Sequence, residues 1–483
     1  TTVVPAAYAR GGGPLVPLTF VAVGIVLVLF AAGYSAMNNR APFAGAMYTY
    51  VTRGLGRLGG VGAAWVAVVS YHALQLGLYG LAGMATAPLL RSWFDIGAPW
   101  WAAAAGCWVV VTLCGIVRVE IVSGLLALLV LAEGAVIAGY TAANLIEPAG
   151  DGFVGATIVP ADPAAIDRPA LGLLLAVGML AVIGFETSGT YAEETIRPRR
   201  EAGHATYATV VVFVVLLAGA AWSLSVAAGP ERIGPLAGTR GSEIVFDLAA
   251  ARLAPWAVTL GRVMLVTGLL AAMLALHQAI ARYLFALGRE RVLPAALART
   301  SRRTAAPRTA SLVQSLVAGL AIAAAYLAGV ESPVALAQRV AIGGGLGILL
   351  VLLATSLAAL LHLNRVPNGE GAWGRFFAPI LSTVALGALA YLVFRNLPDL
   401  LGVPPGDRWH WLVPAGLGGV LVLGLLHGLA IRWIRPVAYA GIGQNGFPVV
   451  VTPTVPLPRE PGDPGEAGDS RSPGAHRPER VNR

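Results

Sequence analysis

The chain has 483 residues, of which 57% are hydrophobic and only 12% charged, with a formal net charge of +9. Soluble domains carry roughly 25% charged residues, so the composition excludes an ordinary soluble domain and points to a polytopic membrane protein. The positive balance does not indicate a nucleic-acid partner. No basic segment carries interleaved aromatics, and the arginines fall between apolar runs, where membrane topology accounts for them.

In chain order, eleven apolar runs are long enough to span a bilayer, roughly 14–38, 58–90, 99–117, 121–146, 170–194, 204–228, 254–285, 309–329, 336–363, 376–396 and 411–432. The opening stretch "TTVVPAAYARGG" reads as the outer half of a further span. Residues 42–56, "PFAGAMYTYVTRGLG", are too polar and Gly-rich to cross and read as a short helix lying at the interface. The connections at 39–57, 118–120, 195–203, 289–308 and 364–375 hold the larger share of the loop arginines, which by the positive-inside rule makes them cytoplasmic. Residues 1–435 thus read as one membrane domain. The tail 436–483 reads as cytoplasmic, and its Pro, Gly and charge content predicts disorder.

The run at 170–194 is unusual. Ala170–Ile183 is apolar without interruption, but at ~1.5 Å per residue it spans only roughly 21 Å of the ~30 Å hydrocarbon core. The chain completes its crossing through "GFETSGTYAEE", residues 184–194. An ionisable residue at that depth defaults to a functional hypothesis, which makes Glu186 the foremost candidate. Gly184 and Gly189 bracket it and make a helix break easy. A broken helix frees N–H and C=O groups that suit a carboxylate and an ammonium. The alternative is a Gly-kinked helix in which Glu186 bonds a neighbouring span. Phe185 lids a cavity or packs; Thr187 and Ser188 bond a ligand or their own backbone.

Other polar residues interrupt apolar runs. Glu133 sits mid-span in "LLVLAEGAVIAG" and is a second proton-carrier candidate or a buried structural acid. Tyr71, His72 and Gln75 fall mid-span in "VSYHALQLGLYG"; His72 and Gln75 share a face and line a cavity or join helices. His277 lies three turns from a basic helix end and faces the same cavity or packs, while Arg282 reads as a snorkelling anchor. Glu193 and Glu194 read as partners for arginine. The chain contains no lysine, and arginine does not release its proton at working pH. A coupling proton would therefore ride on Glu186, Glu133, His72 or His277. No metal-ligand spacing, phosphate loop or nucleophile motif occurs, so no cofactor, metal or enzymatic activity is expected.

Three segments resemble a known family. "FAAGYSAMNNRAPFAGAMYTYVTRGLGRLGGVGAAW" is similar to the second and third spans of the amino acid–polyamine–organocation permeases. "GFETSGTYAEETIRPRR" resembles their sixth span, and "ARYLFALGRERVLPAAL" the end of their eighth. The resemblance covers roughly residues 1–435. It implies an all-α membrane fold of the leucine-transporter type, two inverted five-helix repeats plus two C-terminal helices, with the first span truncated here. It also implies that the sixth span unwinds between Gly184 and Gly189 and offers carbonyls to a substrate α-amino group. Phe185 then falls at a gating aromatic, and Glu186 at an acid linked to substrate or proton sensing.

The expected function is secondary active transport of amino acids or related amines, as a proton symporter in the plasma membrane. The substrate is expected between the break and the third and eighth spans, contacted by Gly184, Phe185, Glu186, Thr187, Ser188, Gly189, Tyr71, His72, Gln75 and His277. Two other readings stay open: an exchanger without proton coupling, and a non-transporting nutrient sensor that keeps the fold.

Overall fold

The computed structural model describes residues 3–117, 119–150, 157, 168–195, 197, 201–300, 306–331 and 333–445. Parts of the arginine-rich connections and all of the tail beyond Asn445 lie outside the described residues. In chain order the helices are α1 (Val3–Ala9), α2 (Val16–Arg40), α3 (Met47–Leu55), α4 (Arg57–Phe94), α5 (Trp100–Gly115), α6 (Val119–Ile146), α7 (Arg168–Ala181), α8 (Glu201–Ala228), α9 (Ile233–Arg240), α10 (Glu243–Ala250), α11 (Pro255–Arg289), α12 (Arg308–Leu327), α13 (Val334–Arg365), α14 (Ala378–Arg395), α15 (Leu397–Leu401), α16 (Arg408–Ile434) and α17 (Pro436–Gly441). A 3-10 segment, Phe185–Glu194, follows α7, and a π-helical turn, Trp373–Phe377, leads into α14.

Among the described residues, 10 helical segments are long and apolar enough to cross a membrane. They are α2, α4, α6, α7 with its 3-10 extension, α8, α11, α12, α13, α14 with its leading turn, and α16. Helix α5, an apolar helix of 16 residues, supplies the eleventh run expected from the sequence. No strand occurs among the described residues, so this is an all-α polytopic membrane protein. More than half of the apolar stretch of α2, α4 and α13 is buried, against almost none in α6 and α16. The first three helices therefore make the interior. The last two present leucines such as Leu128, Leu131 and Leu423 outward, where lipid covers them.

Small residues bring the inner helices together, because in lipid the close approach of backbones replaces the hydrophobic drive. On α13, a Cβ at Gly344 would lie 2.6 Å from the Ser70 carbonyl oxygen of α4, and one at Gly345 2.9 Å from Leu180 of α7. Gly77 of α4 returns the favour, since a Cβ there would lie 2.7 Å from the Ala337 carbonyl of α13.

One expectation is corrected. The interfacial helix expected at 42–56 forms as α3, but Met47–Thr52 and Gly54 are buried, Arg53 is half-buried and only its last residue, Leu55, is exposed, so α3 packs inside the bundle rather than on its surface. Its hydroxyls explain why burial is tolerated: Tyr50 donates to Asn38 Oδ1 at 3.2 Å, Thr52 to the Tyr48 carbonyl at 2.8 Å, and Tyr48 to the Glu290 carboxylate. Beyond residue 435, Ala438 and Ile442 bury apolar side chains and the turn after α17 is hydrogen-bonded to Glu290.

Two predictions follow from this packing. At Gly54 a Cβ would overlap the backbone of Ala358, which cannot move away like a side chain. Gly54→Val is expected to lower stability by about 1–3 kcal/mol, read as a lower melting temperature in detergent. Gly416→Ala, in open space on α16, should leave stability unchanged or slightly raised. The second concerns the bidentate Arg40–Glu370 pair, which ties the end of α2 to the loop after α13. Hydrogen bonding from Arg40 pulls the Glu370 carboxyl down to about 2. The folded pKa is depressed below the unfolded ~4.3, so this stabilisation is present above ~4.3 and lost as pH falls towards 2. Acid melting curves of wild type and Glu370→Gln should therefore converge in that window.

Candidate functional site

Helix α7 ends at Ala181, and Gly184 follows with φ 119° and ψ −19°. That region is costly for any residue with a Cβ, so glycine is required by conformation here; nothing crowds the position within 4 Å. The chain then winds as a 3-10 helix from Phe185 to Glu194. Hydroxyls bonding to their own backbone line this segment. Thr187 Oγ1 donates to the Gly184 carbonyl at 2.6 Å, Thr190 Oγ1 to the Thr187 carbonyl at 2.7 Å, and Ser188 Oγ lies 2.7 Å from Thr206 Oγ1 of α8.

Glu186 closes the break. Its Oε2 accepts the Gly184 N–H at 2.8 Å and its Oε1 accepts the Tyr71 hydroxyl of α4 at 2.8 Å, while its own carbonyl accepts Tyr34 Oη of α2 at 2.8 Å. The residue is 1% exposed. Gly189 sits inside the 3-10 helix and has no positive φ, so left-handed backbone occurs at Gly184 and not at Gly189. Gly189 is small because a Cβ there would overlap the Tyr34 hydroxyl.

Aromatic rings surround this carboxylate. Phe185 meets Phe30 edge-on at 5.8 Å, Phe30 lies 5.4 Å from Tyr34, Tyr34 lies 5.2 Å from Tyr50, and Tyr71 lies 5.7 Å from Tyr283 of α11. All six are among the most deeply buried side chains in the chain. The Tyr283 hydroxyl faces the Met47 and Tyr48 amides at the start of α3 without reaching bonding geometry. Tyr34, Tyr50 and Tyr283 escape a search for isolated charges, because tyrosine is a common packing residue. The signal available for Tyr34 was its place in the first motif quoted above.

Below the aromatic layer lie two ion pairs. Arg282 donates to both Glu194 oxygens at 2.8 and 2.7 Å and lies 3.8 Å over the Tyr191 ring. Arg289 donates to Glu193 at 2.9 and 2.7 Å, and Glu193 also accepts the Ala44 N–H at 2.8 Å. The sequence reading of Arg282 as a snorkelling anchor fails, since it is 1% exposed and also bonds Gln278. A neighbouring carboxylate and an aromatic face allow it to stay inside the bundle.

The remaining candidates divide. Of the four polar residues on α4 and α11, only Tyr71 hydrogen-bonds Glu186. His277 Nε2 lies 2.8 Å from Ser311 Oγ, which donates to the Gly115 carbonyl; Gln75 donates to the Met273 carbonyl at 3.0 Å and accepts from Gln314; His72 Nδ1 bonds the Val68 carbonyl at 2.8 Å. These contacts join α4, α5, α11 and α12 in a second buried polar cluster. Glu133 lies elsewhere again, on a cavity of about 70 Å³ with Tyr140, Asn144 and Phe246, its carboxylate against Gly268.

The model of the family described as amino acid permease matches residues 1–417, from α1 into α16. No curated protein matches the chain. The family match covers most of the sequence, and the chain belongs to the amino acid permease family.

The geometry of the break predicts two distinct defects. Gly184→Ala should cost about 1–3 kcal/mol of stability through backbone strain. Gly189→Ala should instead displace Tyr34, seen as altered tyrosine accessibility in an ultraviolet difference spectrum. A continuous α-helix through 180–192 in an experimental structure would refute both.

Proposed function

With amino acid permease membership as premise, we propose that this chain carries amino acids or related amines across the membrane by secondary active transport, with Glu186 as the proton-coupling group. The observation that carries this reading is a buried carboxylate capping a helix break within a membrane span. Non-helical backbone at membrane depth is tolerated only beside protein or a water-filled cavity. Here Glu186 and Tyr71 supply the protein partners.

In the proposed cycle the substrate enters beside the break. Its ammonium takes the carbonyl oxygens left open where α7 ends, and Glu186 supplies the opposite charge. Phe185, Phe30 and Tyr34 cover the apolar part and exclude water. The pairs Arg282–Glu194 and Arg289–Glu193 close the arginine-rich end, and their separation would open it. The positive-inside rule puts that end in the cytoplasm, together with α17. Thr187 and Ser188 are placed as hydroxyls along the same path. His72, Gln75 and His277 hold helices together around the site, and Glu133 is the second proton-carrier candidate. Glu186 is ranked first because, among the described residues, it is the carboxylate that touches the break.

The test uses proteoliposomes with labelled amino acids under an imposed pH gradient. Wild type should accumulate substrate, and Glu186→Gln should insert normally but lose the dependence on the gradient, while Glu186→Asp keeps part of it. Wild-type pH dependence in Glu186→Gln would remove Glu186 from the coupling role. Uptake only into vesicles preloaded with amino acid would mark an exchanger instead.

A further inference from the structure

At the arginine-rich end, away from the helix break, a cleft of about 600 Å³ opens between α3, the start of α4, the last turn of α13 and the segment after α17. Arg53, Arg57 and His362 line it, with Thr52, Tyr439 and Gln444 between them. Among the described residues no carboxylate lines this cleft, and neither arginine forms an ion pair. The nearby acids are engaged elsewhere. Glu370 holds Arg40, and Glu290 accepts the Tyr48 hydroxyl together with the Gly443 and Asn445 amides at 2.8 and 2.9 Å.

The two guanidinium groups are oriented by rings rather than by counter-charges. Arg53 lies 5.4 Å over Phe43, and Arg57 lies 5.5 Å over Tyr439 while donating one hydrogen bond to the Ala440 carbonyl at 3.0 Å. An arginine fork has five N–H donors, so most of those on Arg57 remain for another acceptor. Both side chains are half-buried, and two cations lining one cleft without a carboxylate in its wall favour an anion there. Burial pushes the Arg53 guanidinium below its usual pKa against the pull of Tyr50 and Glu290, and Arg40 adds to the push.

We propose that this cleft binds a phosphate group, with Arg53 and Arg57 as its bidentate donors and His362 beside them. Planar guanidinium forks match phosphate oxygens in geometry and charge, and the volume lies within the ~300–1,000 Å³ of small-ligand sites. The phosphate comes from an anionic lipid headgroup or from a soluble phosphate compound. Either would bridge α3 and α4 to the segment after α17, because Gly443 packs against Thr52 with φ +79° and Gln444 closes the same cleft.

The full chain in phosphatidylcholine nanodiscs would be titrated with radiolabelled inorganic phosphate. In parallel, native mass spectrometry would compare retained phosphatidylglycerol with retained phosphatidylcholine. One saturable phosphate group per chain is expected in at least one arm, weakened about tenfold or more by Arg53→Gln with Arg57→Gln. Binding in the lipid arm alone assigns the headgroup, and binding in the other arm assigns a soluble compound. No saturable binding in either arm, or wild-type binding by the double variant, would overturn the proposal. Should the double variant aggregate, Arg57→Gln alone is expected to weaken binding several-fold, and an unchanged affinity there would overturn it equally.

Discussion

Backbone amides cannot be left unsatisfied inside a bilayer, and the interior is arranged around that constraint. Helix α7 stops at Ala181, and the next half-turn must find partners for its freed groups. The Gly184 N–H finds one in the side chain two residues on, and the Glu186 carbonyl finds one in Tyr34. Each solution recruits a different neighbour. Tyr71 draws α4 to the carboxylate, Tyr34 draws α2 to the carbonyl, and Ser188 reaches α8 through Thr206. The break therefore serves as a meeting point for helices far apart in sequence.

The layers beneath repeat the pattern with stronger partners. Arg282 and Arg289, two turns apart on α11, hold the two acids at the end of the 3-10 segment. Both termini of the broken stretch are thus fixed to packed helices: the upper by single hydrogen bonds, the lower by bidentate ion pairs. The upper contacts are single bonds to separate helices, while each lower acid is held by a two-pronged guanidinium, so the two ends are secured unequally.

The spans were legible because uninterrupted apolar runs leave few alternatives, and Gly184 and Glu186 were legible because glycine and a carboxylate interrupt one of them. Helix rotation was much harder to read. Tyr71 and His72 are neighbours in sequence but point about 100° apart on a helix of 3.6 residues per turn. One bonds Glu186; the other turns back to the Val68 carbonyl. An all-round apolar helix gives no amphipathic stripe to settle such a rotation. The burial of α3 and of Arg282 was hidden for a related reason, since tyrosines and arginines look like interface residues until tertiary partners satisfy them. The part played by Gly189 was illegible because it depends on a ring from α2, 152 residues away from the carbonyl that ring bonds.

The turn after α17 has a consequence for the order in which the molecule is made. Glu290 is held by amides that follow it by as many as 155 residues, so its partners do not yet exist when α11 emerges. At ~5–20 residues per second, synthesis leaves that carboxylate waiting roughly 8–30 s. During this interval Tyr48 is the partner already present. The seam between α3 and the end of α11 is consequently among the last to be sealed. Backbone N–H groups seal it, and at Gly443 the fit against Thr52 leaves little room for any side chain.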